Sequence, residues 1–165
     1  MSTSAKAEIA RAAGAHEALA VEGFLDHVRE LTGGRGVDVV IDPVGGDRFT
    51  DSLRSLAPEG RAVVLGFAGR QIPTVKVNRL LLTNTSVLGA ASNEYWQAHP
   101  DHAREQWREL LPLMESGLIN PPIGDVHLLD DVVTALGDMD ERRAAGRIII
   151  RLPAAAAEGP VGSTR

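Results

Sequence analysis

The sequence predicts an α/β protein organised around parallel strands, and three neighbouring stretches carry that expectation. Val37 to Ile41 is mostly β-branched and apolar on both faces, as a strand covered on two sides must be. Asp47 to Leu56 follows with Phe49, Leu53 and Leu56 at helical spacing, and Ala57-Pro58-Glu59-Gly60 then turns the chain into a second buried strand, Arg61 to Leu65. Strand, helix and strand in this order form a βαβ unit. Its crossover is almost always right-handed and lays the two strands parallel.

The remaining elements are read in chain order. Ala5, Ile9 and Ala13 recur at helical spacing behind the capping run Ser2-Thr3-Ser4, and Gly14 ends that helix. Glu17 to Val21 is expected to be a short strand. Phe24, Leu25, Val28 and Leu31 mark an amphipathic helix closed by Gly33-Gly34. Gly66-Phe67-Ala68-Gly69 is a flexible loop after the second buried strand, Val77 to Leu82 a short helix and Thr85 to Leu88 a third strand. A long helix follows from Asp101 to Ser116, with Trp107 and Met114 read as core residues and Pro112 expected to kink or break it. Asp125 to Leu128 is a strand, Leu129 to Arg143 a helix opened by Asp130-Asp131, and Arg147 to Leu152 a closing strand. Pro153 to Arg165, rich in alanine, glycine and proline, is read as a disordered tail.

Composition narrows the function. The 165 residues carry a net charge of -5 and are 44% hydrophobic, as in ordinary globular chains. Basic residues are scattered, which argues against nucleic acid as a partner. Cysteine is absent, which excludes disulfides, thiolate nucleophiles and cysteine-ligated zinc. No run approaches the roughly 18 apolar residues of a membrane span, and Met1 to Ala15 has no apolar signal-peptide centre, so a cytoplasmic location is the default. Of the histidines 16, 27, 99, 102 and 127, only His99 and His102 lie close together, with Pro100 between them, so no metal site is expected. Ser52, Ser86 and Ser92 lack a nucleophile-elbow context.

The stretch Gly33-Gly34-Arg35-Gly36-Val37-Asp38-Val39-Val40-Ile41-Asp42-Pro43-Val44-Gly45-Gly46 resembles a motif of the zinc-independent quinone-oxidoreductase-like members of the medium-chain dehydrogenase/reductase superfamily. Ala57-Pro58-Glu59-Gly60-Arg61 with Gly66-Phe67-Ala68-Gly69, then Leu80 to Gly89, resemble the strands and loop that follow. Arg142-Arg143-Ala144-Ala145-Gly146-Arg147-Ile148-Ile149-Ile150 is similar to the family's closing strand. The likeness runs from Ser4 to Leu152 in the family's order and implies the C-terminal half only. The fold it implies is an incomplete doubly wound, Rossmann-like parallel sheet with flanking helices, lacking the first two strands. Residues 1–120 would be a partial nucleotide-binding domain, 121–152 the return towards a catalytic domain, and 153–165 the tail. A G-x-G-x-x-G fingerprint is absent from the sequence, since Gly33-Gly34-Arg35-Gly36 precedes a strand instead of opening a helix. The open side of Val37 to Ile41 is expected to be repaired by the Glu17 to Val21 strand or by another chain.

The resemblance also assigns residues. Asp42, Val44 and Gly45 after one strand, Gly66, Phe67, Ala68 and Gly69 after the next, and Gly89 after the third would line a cofactor site at the strand ends. Asp42 reads equally as a cap of the turn at Pro43 to Gly46, and the glycines as turn chemistry. Lys6 resembles a lysine that binds the 2′-phosphate of NADPH, and Arg147 aligns with the lysine of the closing strand; the plainer readings are a solvated helix lysine and a strand flank. No catalytic acid or base is assigned. Gly89 to Trp96 departs from the family, because its aromatics, Tyr95 and Trp96, come later than the usual pair. The implied function is that of a fragment-like NADPH-dependent quinone or enone oxidoreductase, inactive as an isolated chain. The alternatives are a non-catalytic dimerisation module, pairing through the strand Thr85 to Leu88, and a truncated gene product. A companion chain supplying the other half is the further partner implied.

Overall fold

A computed structural model of the chain describes residues 3–153, so the tail expected beyond Pro153 lies outside the described residues. In chain order the elements are α1 (Ser4–Ala12), α2 (Phe24–Leu31), β1 (Val37–Asp42), α3 (Phe49–Arg54), β2 (Leu56–Val64), α4 (Asn78–Thr83), β3 (Ser86–Gly89), α5 (Ser92–Ala98), α6 (His102–Glu115), β4 (Ile123–Leu128), α7 (Val132–Asp140) and β5 (Arg147–Arg151). One turn of 3-10 helix, Leu129–Asp131, leads into α7. The chain divides into two compact units, Leu19–Glu115 and the described parts of Met1–Ala18 with Ser116–Arg165.

The unit Leu19–Glu115 holds a three-stranded parallel sheet in the order β1-β2-β3, which is the Rossmann-like α/β arrangement with flanking helices. Val40, Ala62 and Val87 lie level across it and face the same way. That face carries the core of Phe49, Leu53, Leu56 and Ala62, with Leu80 of α4 packed against it. Phe49 sits in the cluster with the methyl-sized Ala62, and burying its ring contributes about 2–3 kcal/mol. α2 is amphipathic, with Asp26 in its first turn and Arg29 in its last, each at the end its charge favours.

Glu17 to Val21 forms no strand, and among the described residues β1 pairs only with β2, so the repair expected from that segment does not occur. Its Glu-Ala-Leu-Ala-Val composition has one β-branched residue and no alternation to bury. β1 is covered on one face, not two: Ile41 is 64% exposed and Val39 41%. Ala57-Pro58-Glu59-Gly60 lies inside β2, where the pairing jumps from Val37↔Leu56 to Val39↔Arg61 and Glu59 takes φ 66°. The turn residues make a bulge in a strand. Pro112 does not end α6, and Trp107, 54% exposed, is no core residue; neither is the exposed Met114. The bond Pro112 cannot donate is to the Arg108 carbonyl, on a stretch of helix that is exposed throughout. α5 was not foreseen.

In the other unit, β4 and β5 pair in parallel across α7, a second strand–helix–strand crossover with Ala135 buried beneath it. Gly124 of β4 lies so near the Ala145 carbonyl that a Cβ there would be 2.0 Å from its oxygen. α1 is capped by Thr3, whose hydroxyl accepts from the Lys6 amide at 3.2 Å.

Candidate cofactor site at the strand ends

β1, β2 and β3 finish level, with Asp42 beside Val64 and Val64 beside Gly89. The ladder runs one step further, Leu65 N–H donating to the Asp42 carbonyl and Ala90 N–H to that of Val64, both at 2.9 Å. The three loops after the strands therefore leave from one edge, the carboxyl end of a parallel sheet, where open α/β sheets take ligands.

Asp42 is buried, and its Oδ1 accepts from the amides of Val44 at 2.7 Å and Gly45 at 2.9 Å. It caps the turn, and the chain can reverse there because Gly45 takes φ 68°, a region that side chains resist. A Cβ at Gly45 would also stand 2.9 Å from Cδ1 of Phe67. The loop after β2 is laced to this turn: Ala68 N–H donates to Pro43 at 3.0 Å, Gly69 N–H to Val44 at 2.8 Å, and Gly46 N–H to Gln71 at 3.0 Å. Val44 and Phe67 are left as exposed apolar side chains at the top. A polar cleft of about 420 Å³ lies alongside, lined by Asp47, Thr50, Gln71 and Thr74 among others.

Of the residues singled out in the sequence, Asp42, Val44, Gly45, Gly66, Phe67, Ala68, Gly69 and Gly89 thus meet at one sheet edge. Lys6 and Arg147 belong to the other compact unit. The Lys6 ammonium donates to the Arg142 carbonyl at 2.5 Å, at the rim of a cleft of about 210 Å³ lined by Ile9, Ala13 and Pro122. Arg147 is exposed, with its amide donating to the Pro122 carbonyl at 2.8 Å.

The hydrogen bonds decide what the edge can do chemically. The amides of Val44, Gly45, Gly46, Ala68 and Gly69 already have partners inside the protein. They are not free to cradle a phosphate. What the two loops present outward is a shaped wall with apolar tips, suited to the face of a ring.

Two residues went unassigned in the sequence. Tyr95 and Trp96 of α5 line a pocket of about 620 Å³ that begins at Gly89, the end of β3. The signal available was Tyr95 and His99 four apart, which puts both on one helix face. Among the described residues no group of three or more histidine, aspartate or glutamate side chains is placed to hold a metal, so they do not fit a zinc ion, and no helix is long and apolar enough to cross a membrane.

Comparison with known proteins places this geometry in a family. Residues 1–116 match the family described as zinc-binding dehydrogenase. A quinone oxidoreductase-like protein 2 from Rattus norvegicus is 44% identical over 129 residues, covering 77% of this chain and 36% of the relative. A 2-haloacrylate reductase from Burkholderia sp is 30% identical, covering 91% and 46%. Among solved structures, a quinone oxidoreductase of Pseudomonas syringae pv. Tomato DC3000 matches with a TM-score of 0.79 and 30% identity over 91% of this chain and 47% of that one. A mycobacterial protein solved in complex with NADPH matches with a TM-score of 0.78 and 30% identity over 91% and 48%. The chain spans about a third to a half of the length of these proteins and corresponds to their C-terminal part. The chain keeps the family's sheet, has no cysteine and among its described residues no three-donor cluster, and it belongs to the zinc-binding dehydrogenase family of oxidoreductases, on the quinone-oxidoreductase-like side of the medium-chain dehydrogenase/reductase superfamily.

Proposed function

We propose that the chain supplies the nicotinamide-end wall of an NADPH-dependent quinone or enone reductase, and that alone it does not turn over. One observation carries this reading: the loops after β1, β2 and β3 leave from one level edge, with Val44 and Phe67 exposed above it. When bound, the nicotinamide would supply the hydride. The chain's residues orient and shield. Asp42 fixes the turn that carries Val44, and Gly45 and Gly69 let the second loop close against it. Lys6 is assigned to the 2′-phosphate, a role in which its ammonium would exchange the Arg142 carbonyl for an anion; Arg147 is assigned to the same charged end. The relatives' reductase names support the chemistry, and the NADPH complex of the mycobacterial relative supports the choice of cofactor.

The test is protein-observed NMR of the full chain with NADPH and NADH at millimolar concentration, beside an assay of quinone reduction. Shifts gathered at Val44, Phe67, Ala68 and Gly89, with NADPH stronger than NADH and no turnover, are expected. Unmoved amides at these positions would remove the wall, and turnover by the chain alone would remove the claim of inactivity.

A second reading rests on a different observation. Among the described residues β3 pairs only with β2, so its outer edge is open to a second copy of the chain. Self-association through Ser86–Gly89 is compatible with the reductase reading, and equally with a module that assembles without catalysis. The same openness at β1 leaves room for a strand from a companion chain.

A further inference from the structure

The pocket that opens at the end of β3 has aromatic walls that the reductase reading does not use. Gly89 and Ala90 line it without bulk, and α5 adds Tyr95 and Trp96. Both rings are held. Tyr95 is stacked on His99, with centroids 4.2 Å apart and planes 18° from parallel, and meets His102 edge-on at 4.8 Å. Trp96 donates its indole N–H to Oε1 of Gln106 at 2.9 Å. These partners satisfy the polar tip of the indole and brace the phenol. About half of the Tyr95 surface remains exposed, and Trp96 is 37% exposed.

Aromatic rings fixed in place around a space of about 620 Å³ match what small planar ligands need, because little side-chain freedom is lost on binding. Glu94 stands in the same wall and opposes an anion. Gly89 belongs both to this pocket and to the level edge of the strands. Resting on the reductase reading for its catalytic meaning, we propose that this pocket seats the uncharged planar ring of the electron acceptor, with Tyr95 and Trp96 determining specificity.

The binding claim is testable without cofactor. In the full chain bearing Trp107→Phe, Trp96 is the sole tryptophan and reports on its own pocket. An unsubstituted naphthoquinone is the probe, and the absence of cysteine removes thiol alkylation as a confounding reaction. Saturable quenching is expected, weakened about tenfold by Tyr95→Ala through loss of ring stacking. Ala90→Phe, which adds bulk to the pocket lining from outside α5, should weaken it similarly. A naphthoquinone sulfonate should bind roughly three- to fivefold less well than the neutral ring, and Glu94→Gln should close that gap. Quenching that is linear in quinone, or unchanged in Ala90→Phe with its fold verified by circular dichroism, would overturn the proposal. The outcomes separate cleanly from the cofactor experiment: quinone binding without any nicotinamide response leaves the pocket standing and sinks the reductase reading, and the reverse result does the opposite.

Discussion

Replacing Asp42 by alanine removes one oxygen that accepts two backbone amides, from Val44 at 2.7 Å and Gly45 at 2.9 Å. The carboxylate is buried, and so is the Gly45 amide left behind. Hydrogen bonds to a charged acceptor are worth about 1.5–3 kcal/mol each, but the two share an acceptor and the Val44 amide is partly open to water, so a total near 3 kcal/mol is expected. Asp42→Asn keeps an oxygen in the same place and should cost only about 1 kcal/mol. Both tryptophans of the chain, Trp96 and Trp107, fall within Leu19–Glu115, so urea unfolding followed by fluorescence reports the unit that contains the turn. With a urea slope of roughly 2 kcal/mol per molar, alanine should lower the midpoint by about 1.5 M and asparagine by about 0.5 M. Equal midpoints for wild type and Asp42→Ala would refute the cap. Equal losses for alanine and asparagine would instead assign the stabilisation to charge alone.

Gly124→Ala should break the β4–β5 pair, since its Cβ would stand 2.0 Å from the Ala145 carbonyl oxygen and only backbone could yield; faster amide exchange at Val126 and Ile149 is the measurement. Leu88→Lys is the substitution that tests self-association at the β3 edge, because Leu88 is exposed whereas Val87 packs against the core; sedimentation should show a dimer becoming monomer, and an unchanged profile would dismiss that edge. The Arg35 guanidinium, hydrogen-bonded to Asp38, holds the Asp38 carboxyl below the usual carboxylate range. A depressed folded-state value stabilises above the unfolded value of about 3.9 and the benefit fades as pH falls through the folded one, so wild type and Asp38→Asn should differ slightly at pH 7 and converge as acidification passes the lowered folded value; a difference that grows on acidification would contradict this.

Much of the sheet was legible because its signals are local and redundant. Val37 to Ile41, the Phe49-Leu53-Leu56 spacing and the glycine loops each point to the same βαβ unit, and eight of the ten chosen site residues sit at the carboxyl edge of the three-stranded sheet that contains it. The failures come from information that a short window does not contain. Val39 and Ile41 look doubly covered because their composition is apolar, yet which faces receive helices is settled by tertiary packing. Trp107 misled in the same way, since an apolar stripe says nothing about whether a partner surface lies against it. Pro58 and Gly60 announce a turn, but neighbouring strands absorbed them as a bulge. The Tyr95 pocket leaves little trace in the sequence because α5, Ser92–Ala98, spans only seven residues, too short for an apolar period to stand out.

The division of labour at the strand ends can be put in energies. A ring laid on Val44 and Phe67 would cover on the order of 100 Å² of apolar surface, about 2.5 kcal/mol. Association itself costs at least about 4 kcal/mol in lost translation and rotation. The wall therefore cannot capture a dinucleotide unaided, and the amides around it are already engaged by Asp42, Pro43, Val44 and Gln71. Affinity has to come from groups that meet the phosphates, whereas the wall can only choose among poses of a ring held elsewhere. Loss of Phe67 would then leave cofactor affinity almost untouched in any polypeptide that binds NADPH, while the ring, free to tilt, would present its hydride less often in line with the acceptor.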